Sequence, residues 1–183
     1  IMENTFRDIN IAFVNEMAQS FDKAGIDVIE VIKGASTKPF AFMPHYPGAG
    51  VGGHCISIDP YYLIEKAKQL GFNHKFLLLA REINNNMPHY TVELLENELQ
   101  KLKKSIKKSK VGILGLAYKA NVDDVRESPT FKVINILKSK GADVFVFDPN
   151  VKKDSNVRDL DELLQKSDYI LLVTDHNEFK NMD

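Results

Sequence analysis

The pattern of apolar residues changes near Lys110, and this change constrains the fold more than any other feature. Before it, apolar residues recur at the three- and four-residue spacings that are typical of amphipathic helices. After it, two helical segments separate three short apolar runs, which are KVGILGLAY, ADVFVFD and DYILLVT. Three strands joined by short helical connections are typical of a parallel α/β unit, half of a nucleotide-binding sheet. The sequence therefore predicts an α/β chain, with an all-helical domain at 1–106 and a partial α/β domain at 107–183.

Four helices are predicted in the first domain. Their bounds are Glu3 to Ala24, Asp27 to Gly34, Asp59 to Gly71 and Lys75 to Lys104. Asp59 is predicted to cap the third helix, because an Asp-Pro pair is typical of a helix start. Pro88 is expected to kink the fourth helix, since proline has no amide donor. The apolar face of the first helix is too wide for a lone monomer and favours a dimer. That face is formed by Phe6, Ile9, Phe13, Met17 and Phe21.

The composition is that of an ordinary globular protein, with 44% hydrophobic and 27% charged residues. A formal net charge of −1 gives no support to nucleic-acid or anionic-membrane binding. No apolar run approaches the roughly 18 residues of a membrane span. The single cysteine excludes an internal disulfide framework and a cysteine-rich zinc site, and it fits a reducing cytoplasm. The first residue already lies in a helical pattern and the last residues follow a strand pattern, so we expect a segment of a larger protein.

The cysteine lies in an unusual loop. Residues 35–58 contain no predicted helix or strand, and loops of this length are typically functional or disordered. Four glycines between 48 and 53 precede Cys55, and such glycines let a ligand approach the backbone. A thiol close to a helix start sits where backbone dipoles stabilise a thiolate. A buried structural cysteine and a redox-sensing thiol remain alternatives. No metal site is expected, because no usual zinc spacing is matched by His45, His54, Cys55 and Asp59.

The loop YKANVDDVRESP follows the first predicted strand, where open α/β sheets bind ligands. Its Lys119 and Arg126 suit phosphate groups. The alternative is that these cations form surface salt bridges with the acidic residues at 123, 124 and 127. Just before the loop, Gly112 and Gly115 make only part of a dinucleotide-binding fingerprint, and such glycines often serve helix–strand packing.

Four segments carry a resemblance to a known family, in the order ENTFRDINIAFVNEM, PGAGVGGHCISIDPYYL, REINNNMP and GLAYKANVDDVRESP. With them the chain resembles the UDP-glucose/GDP-mannose dehydrogenase family of NAD-dependent UDP-sugar 6-dehydrogenases. The segment STKPFAFMPHYPGAGVGGHC is most similar to the branch that acts on UDP-N-acetyl-D-glucosamine. The resemblance implies NAD as cofactor, a UDP-sugar substrate, a cytoplasmic location and a homodimer. It also implies a preceding NAD-binding domain, so this chain would hold the central helical dimerisation domain and most of a Rossmann-like UDP-binding domain.

The resemblance also implies a reaction. Enzymes of this family oxidise the C6 alcohol of a sugar to a carboxylate in two hydride transfers to NAD⁺. After the first transfer a cysteine thiolate adds to the aldehyde, and oxidation of the thiohemiacetal gives a thioester that water cleaves. By the resemblance, Cys55 is this nucleophile. Asp59 and Asn4 would position water and stabilise the oxyanion, together with a lysine just ahead of Ile1.

Further site residues follow from the same resemblance. The residues matched to substrate contacts are Tyr46, Gly48, Gly50, Gly52, Tyr118 and Lys119. Arg126 matches a residue that reaches toward NAD, and Arg7 is a substrate candidate assigned from helical spacing, one turn after Asn4. The product would feed the synthesis of a surface polysaccharide such as a capsule or O-antigen. UDP-N-acetylmannosamine and UDP-glucose remain alternative substrates, and a non-catalytic dimerisation and UDP-binding module is the alternative for this chain alone.

Overall fold

A computed structural model describes residues 1–180 and Met182. In this part of the chain the helices come first and a small parallel sheet follows. The helices are α1 (Met2–Ala24), α2 (Val28–Ala35), α3 (Asp59–Gln69), α4 (Lys75–Lys101), α5 (Pro129–Ser139) and α6 (Leu160–Lys166). The strands are β1 (Lys110–Leu114), β2 (Asp143–Phe147) and β3 (Tyr169–Leu172), and a 3-10 turn covers Asn177–Phe179. The predicted fold class, an all-helical part followed by a parallel α/β part, is confirmed.

The chain divides into two compact units. The first comprises Ile1–Val51 and Cys55–Met87, and the second comprises Gly52–His54 and Pro88–Asp183. The division falls inside α4, which stays helical through Pro88 and ends at Lys101 rather than at Lys104. The boundary that the sequence predicts at 106/107 thus lies beyond the end of this helix.

Local interactions explain where several helices begin and end. The Asp27 carboxylate accepts a hydrogen bond of 2.8 Å from the Ile29 N–H at the start of α2. The Ser128 hydroxyl accepts one from the Thr130 N–H at the start of α5. Helix α1 ends at Gly25, whose φ of 70° lies in the left-handed region that glycine adopts without strain. The predicted stop at Gly25 and the predicted cap at Ser128 are confirmed.

Helix α1 buries a largely polar side within the first unit. The residues that it buries are Thr5, Asp8, Ala12, Val14 and Asn15. On the predicted apolar face, Phe6 remains 46% exposed and Phe13 remains 53% exposed. The packing of this helix in its own unit therefore depends on hydrogen bonds more than on its phenylalanines.

A buried hydrogen-bond network joins α1 to α4. The Arg81 guanidinium donates to the Asp8 carboxylate at 2.5 Å, and only 4% of Arg81 and 1% of Asp8 are exposed. Asn84 donates to the same carboxylate at 2.8 Å, and its side-chain carbonyl accepts from Asn15 at 2.9 Å. Burial raises the pKa of Asp8, while the charge and hydrogen bond of Arg81 oppose this effect. Since buried polar groups require partners, the network fixes how α1 lies against α4.

The second unit is built on a three-stranded parallel sheet with the strand order β2-β1-β3. Strand β1 is central, so Ile113 pairs with Val146 on one side and with Leu171 on the other. Gly112 lets α6 approach this strand, because a Cβ there would lie 2.6 Å from a Leu163 methyl carbon. Gly112 therefore serves helix–strand packing, as one of the two interpretations of the sequence predicted. The fully buried side chains of this unit include Val111, Ile113, Leu116, Val133, Leu137 and Leu163.

We predict that Arg81→Met destabilises the first unit by roughly 3–5 kcal/mol, because it leaves the Asp8 carboxylate buried without its cation. Urea unfolding of the 183-residue chain measures the change. The matched control is Lys33→Met, which removes an ion pair to Glu30 whose two side chains are 64% and 68% exposed and should leave the midpoint unchanged. Equal midpoints for the two variants would show that the buried pair does not hold the unit together.

Candidate functional site

Three of the predicted site residues meet in the first unit. The Asn4 side-chain amide donates a hydrogen bond of 2.7 Å to the Asp59 carboxylate. Its carbonyl oxygen accepts one of 2.6 Å from Arg7, which also forms an ion pair with Glu3 at 2.7 Å. The two ends of the Asn4 amide are thereby oriented, with the oxygen toward a cation and the N–H toward a carboxylate. The structure thus joins α1 and α3 at the residues that the resemblance assigns to catalysis.

Asp59 does not cap its helix, and the prediction that it does is wrong. It is the first residue of α3, and the cap position is held by Ile58, which offers no side-chain acceptor. The N–H groups of Ile58 and Asp59 instead donate to the Cys55 carbonyl, at 3.2 and 2.9 Å. The Tyr61 N–H, which the carboxylate of a capping Asp59 would accept, donates to the Ile58 carbonyl at 2.9 Å. The Asp59 carboxylate accepts from Asn4.

Cys55 lies one helical turn ahead of Asp59, in the turn that leads into α3. Its side chain is exposed, so the interpretation as a buried structural cysteine is wrong. The chain therefore places an exposed thiol four residues before the Asp59 that binds Asn4.

The loop before the cysteine is attached to the buried network of the first unit. The Gly48 N–H donates to the Asn15 side-chain oxygen at 3.0 Å, and Asn15 in turn donates to Asn84. Gly50 has a φ of 134°, which side chains rarely adopt. Tyr46 is 57% exposed in this loop. The predicted substrate residues Tyr46, Gly48 and Gly50 thus belong to a segment that the interior of the unit holds in place.

Gly52 has a different environment, in the second unit. A Cβ at this position would lie 2.6 Å from the Tyr118 Cβ and 2.9 Å from the Glu127 carbonyl oxygen. Gly53 has a φ of 81° and donates its N–H to the Arg126 carbonyl at 2.9 Å. Packing against the loop after β1 therefore explains why residue 52 is glycine.

The loop after β1 carries the predicted cations. The Arg126 guanidinium binds both oxygens of Asp124, at 2.6 to 3.1 Å, and these hydrogen bonds lower the pKa of Asp124 to about 2. Arg126 thus forms a salt bridge, as the alternative interpretation of the sequence predicted. Lys119 differs, since its ammonium lies 5.5 Å from the centre of the Tyr118 ring and forms no ion pair with any residue that the structure describes. An exposed cation of this kind is open to an anionic ligand.

A buried Asp–His pair lies at the carboxyl ends of the strands and was not predicted from the sequence. Asp148 follows β2 directly and His176 follows β3, and both side chains are fully buried. His176 Nε2 lies 3.0 Å from the Asp148 carboxylate. Burial raises the pKa of Asp148, but hydrogen bonds from the Ala117, Leu116 and Asn150 N–H groups and from His176 outweigh it and hold that pKa below its usual value. The signal in the sequence was an Asp and a His after two strands of one parallel sheet, whose carboxyl ends share an edge.

Two further features bear on the kind of site. Within residues 1–180 and 182, His, Cys, Asp and Glu side chains form no group of three or more that could bind a metal ion. The helices of the same part of the chain are too short or too polar to cross a membrane.

Both units match nucleotide-sugar dehydrogenases. The family model for the UDP-glucose/GDP-mannose dehydrogenase central domain matches residues 1–86. The model for the UDP-binding domain of the same family matches residues 112–183. The chain therefore belongs to the UDP-glucose/GDP-mannose dehydrogenase family. The predicted domain boundary lies in the segment between these two matches.

Several relatives have the same two parts. The chain is 46% identical to a UDP-N-acetyl-D-mannosamine dehydrogenase of Methanococcus maripaludis, over all of this chain and 41% of that protein. It is 38% identical to a UDP-N-acetyl-D-glucosamine 6-dehydrogenase of Pseudomonas aeruginosa, over all of this chain and 44% of that protein. A solved structure of UDP-D-ManNAc dehydrogenase from Pyrococcus horikoshii matches with a TM-score of 0.92 and 39% identity, over 100% of this chain and 42% of that one. The chain thus spans about two-fifths of the length of these relatives.

We predict that Gly52→Ala lowers the stability of the second unit by about 1–3 kcal/mol, because the added methyl group overlaps Tyr118 and a backbone oxygen. Thermal unfolding of the chain measures the loss. Gly48→Ala is the matched control: the nearest atom to its Cβ, the Gly50 oxygen, lies 3.9 Å away, so the melting temperature should not change. If the two variants have the same melting temperature, the packing role of Gly52 is refuted.

Proposed function

We propose that this chain forms the central and UDP-sugar-binding parts of an NAD-dependent UDP-N-acetylhexosamine 6-dehydrogenase. The observation that carries the proposal is the hydrogen bond between Asn4 and Asp59, one helical turn from an exposed Cys55. Oxidation of an aldehyde through a covalent adduct requires a nucleophile, and a neighbouring amide and carboxylate can stabilise the oxyanion and orient water. The membership of the family supports the proposal independently.

In the proposed reaction Cys55 retains the half-oxidised sugar. Its sulfur forms a bond to the C6 aldehyde carbon, and the carbonyl electrons move to oxygen, which takes a proton to give a thiohemiacetal. Loss of a hydride from C6 and of the proton from the adduct's hydroxyl group converts the adduct to a thioester. Water then forms a new bond to C6 and the carbon–sulfur bond breaks, which releases the carboxylate and the thiolate.

Asn4 and Asp59 would assist the addition and the hydrolysis. Asp59 accepts a hydrogen bond from Asn4 at 2.7 Å, so its second oxygen can orient a water molecule. A donor aimed at a developing oxyanion commonly contributes ~3 kcal/mol. By the resemblance, a lysine just ahead of Ile1 would act together with this pair. Arg7 would act by holding the Asn4 amide, in addition to the substrate contact assigned from helical spacing.

The resemblance assigns UDP-sugar contacts to two loops, one in each predicted domain. Lys119 offers an unpaired ammonium suited to a diphosphate, and Tyr118 lies beside it. Tyr46, Gly48 and Gly50 are the proposed contacts from the glycine loop. Gly52 packs closely against the Cβ of Tyr118.

NAD⁺ enters the proposal only as the acceptor of the two hydrides. The one residue of this chain assigned to it is Arg126, and that guanidinium is held by Asp124. The two family models that match this chain describe a central domain and a UDP-binding domain. A part of the protein that precedes this chain would supply the NAD site, as the coverage of the relatives suggests.

The sugar is proposed to be an N-acetylhexosamine. UDP-N-acetyl-D-glucosamine follows from the glycine-loop segment, and UDP-N-acetyl-D-mannosamine is favoured by the higher identity to a protein named for that activity, 46% against 38%. The product would be the corresponding uronic acid, a precursor of a surface polysaccharide, made in the cytoplasm.

In the longer protein that we propose contains this chain, Cys55→Ser is expected to lower the rate of NADH formation by on the order of a thousandfold or more, as removal of a nucleophile does. Initial rates with UDP-GlcNAc, UDP-ManNAc and UDP-glucose measure this loss and rank the substrates. Thr37→Ala, an exposed change elsewhere in the same loop, should leave the rates intact. Acid formation by Cys55→Ser at the wild-type rate would rule out the covalent route, and a preference for UDP-glucose would rule out the N-acetylhexosamine.

The exposed phenylalanines of α1 support a homodimer, since a second copy would cover them. We predict that the 183-residue chain sediments as a dimer that binds UDP without turnover, and that Phe13→Glu converts it to a monomer. Phe72→Glu changes an equally exposed ring outside α1 and should leave the dimer intact. A wild-type monomer at micromolar concentrations would contradict the proposed dimer.

A further inference from the structure

We infer that Asp148 and His176 are positioning residues that fix the loop after β1 and thereby set the affinity for the UDP group. The inference rests on the proposed role of Tyr118 and Lys119 in binding UDP. Neither Asp148 nor His176 can touch a ligand directly, because both side chains are fully buried. They act through the backbone of residues 116–121.

Asp148 fixes the beginning of this segment. One of its carboxylate oxygens accepts the N–H groups of Leu116 and Ala117, at 2.6 and 2.9 Å. The other accepts the N–H groups of Asn150 and Val151, at 2.8 and 3.0 Å. A charged acceptor forms stronger hydrogen bonds than a neutral one, and burial keeps water from competing. The backbone just before Tyr118 is therefore held to the end of β2.

His176 fixes the end of the segment. Its Nδ1 accepts the Asn121 N–H at 2.9 Å, and a backbone N–H can only donate. The proton of the imidazole therefore lies on Nε2, which donates to Asp148 at 3.0 Å. Asn150 places its side-chain amide 2.9 Å from the same Nδ1. The carboxylate thus orients the ring that holds Asn121.

Asn121 also needs this support because of its own conformation. Its φ of 61° is in the left-handed region, which costs energy for a residue other than glycine. Its side-chain oxygen accepts the Asn177 N–H at 2.9 Å, which gives a second connection to the segment after β3. Without these contacts the strained backbone would relax.

Tyr118 and Lys119 lie between the two fixed points, at 116–117 and at 121. Lys119 itself is exposed and forms no ion pair with the residues described, so the position of the 118–119 backbone sets the region that its ammonium can reach. If the loop samples other conformations, the apparent affinity for UDP falls in proportion to the fraction of molecules whose loop is in the binding conformation. The Asp148–His176 pair keeps that fraction high.

Two substitutions of His176 separate positioning from general stability. In His176→Asn the side-chain oxygen can replace Nδ1 and accept the Asn121 N–H, but nothing reaches Asp148. In His176→Gln the amide N–H₂ can replace Nε2 and donate to Asp148, but the Asn121 N–H loses its acceptor. Both lose a hydrogen bond inside the unit, so both should be less stable than the wild type, yet only His176→Gln frees the loop.

The experiment measures two properties of the 183-residue chain and its variants below their melting temperatures: UDP affinity by calorimetry, and amide hydrogen exchange over residues 116–121. We expect His176→Gln to bind UDP about tenfold more weakly than the wild type, as the loss of one buried hydrogen bond implies, and to exchange these amides faster. His176→Asn should stay close to the wild type in both. Asn121→Gly, which accepts the left-handed φ but lacks the oxygen that holds Asn177, should fold and weaken UDP binding in the same direction.

Three results would overturn the inference. Equal exchange rates in the Asn and Gln variants would show that His176 does not hold the loop. Equal UDP affinities for the wild type, His176→Gln and Asn121→Gly would show that the loop position does not matter for binding. A wild-type chain that binds no UDP would refute the proposed function together with the affinity claim. The titration of the wild type alone distinguishes this result from the other two. If the two His176 variants do not fold, Asn121→Gly still tests whether the position of the loop sets the UDP affinity, and a wild-type affinity in this variant overturns the inference.

Discussion

A carboxylate removed from water must be surrounded by donors, and each unit of this chain is organised around one such group. In the first unit Asp8 receives Arg81 and Asn84, which sets α1 against α4. In the second unit Asp148 receives four backbone N–H groups and a histidine, and these donors come from segments that follow all three strands. Removing the donors of either carboxylate leaves a buried charge without compensation, which strongly destabilises a fold.

The same two carboxylates lead to the proposed ligand contacts. From Asp8, hydrogen bonds continue through Asn84 and Asn15 to the Gly48 N–H. From Asp148 they continue to the backbone that carries Tyr118 and Lys119. In both cases the exposed residues lie on irregular loops, where regular hydrogen bonding cannot specify a position. Buried polar groups supply that position instead, and preorganised contacts of this kind reduce the entropy lost on binding.

Much of the fold could be predicted from local patterns. Strand and helix order, the stop at Gly25 and the cap at Ser128 depend on residues close together in the sequence, and they were predicted. The role of Asp59 could not be derived from Asp-Pro alone, because its partner Asn4 lies 55 residues earlier in the chain and the Tyr61 N–H finds an acceptor in the Ile58 carbonyl. The exposure of the thiol and the Asp148–His176 pair depend on contacts across many residues, which periodicity does not contain. For Gly52, sequence and structure give different reasons for the same residue: an approach to ligand in one case, and a close approach to Tyr118 in the other.

The polar inner side of α1 has a thermodynamic consequence. Exposing apolar surface raises the heat capacity of an unfolding protein, while exposing polar surface lowers it. A contact between helices made by Asp8, Asn15, Arg81 and Asn84 therefore adds little to the heat-capacity increment of the first unit. The free energy of this contact should vary gently with temperature, and cooling should weaken it less than it weakens an apolar contact.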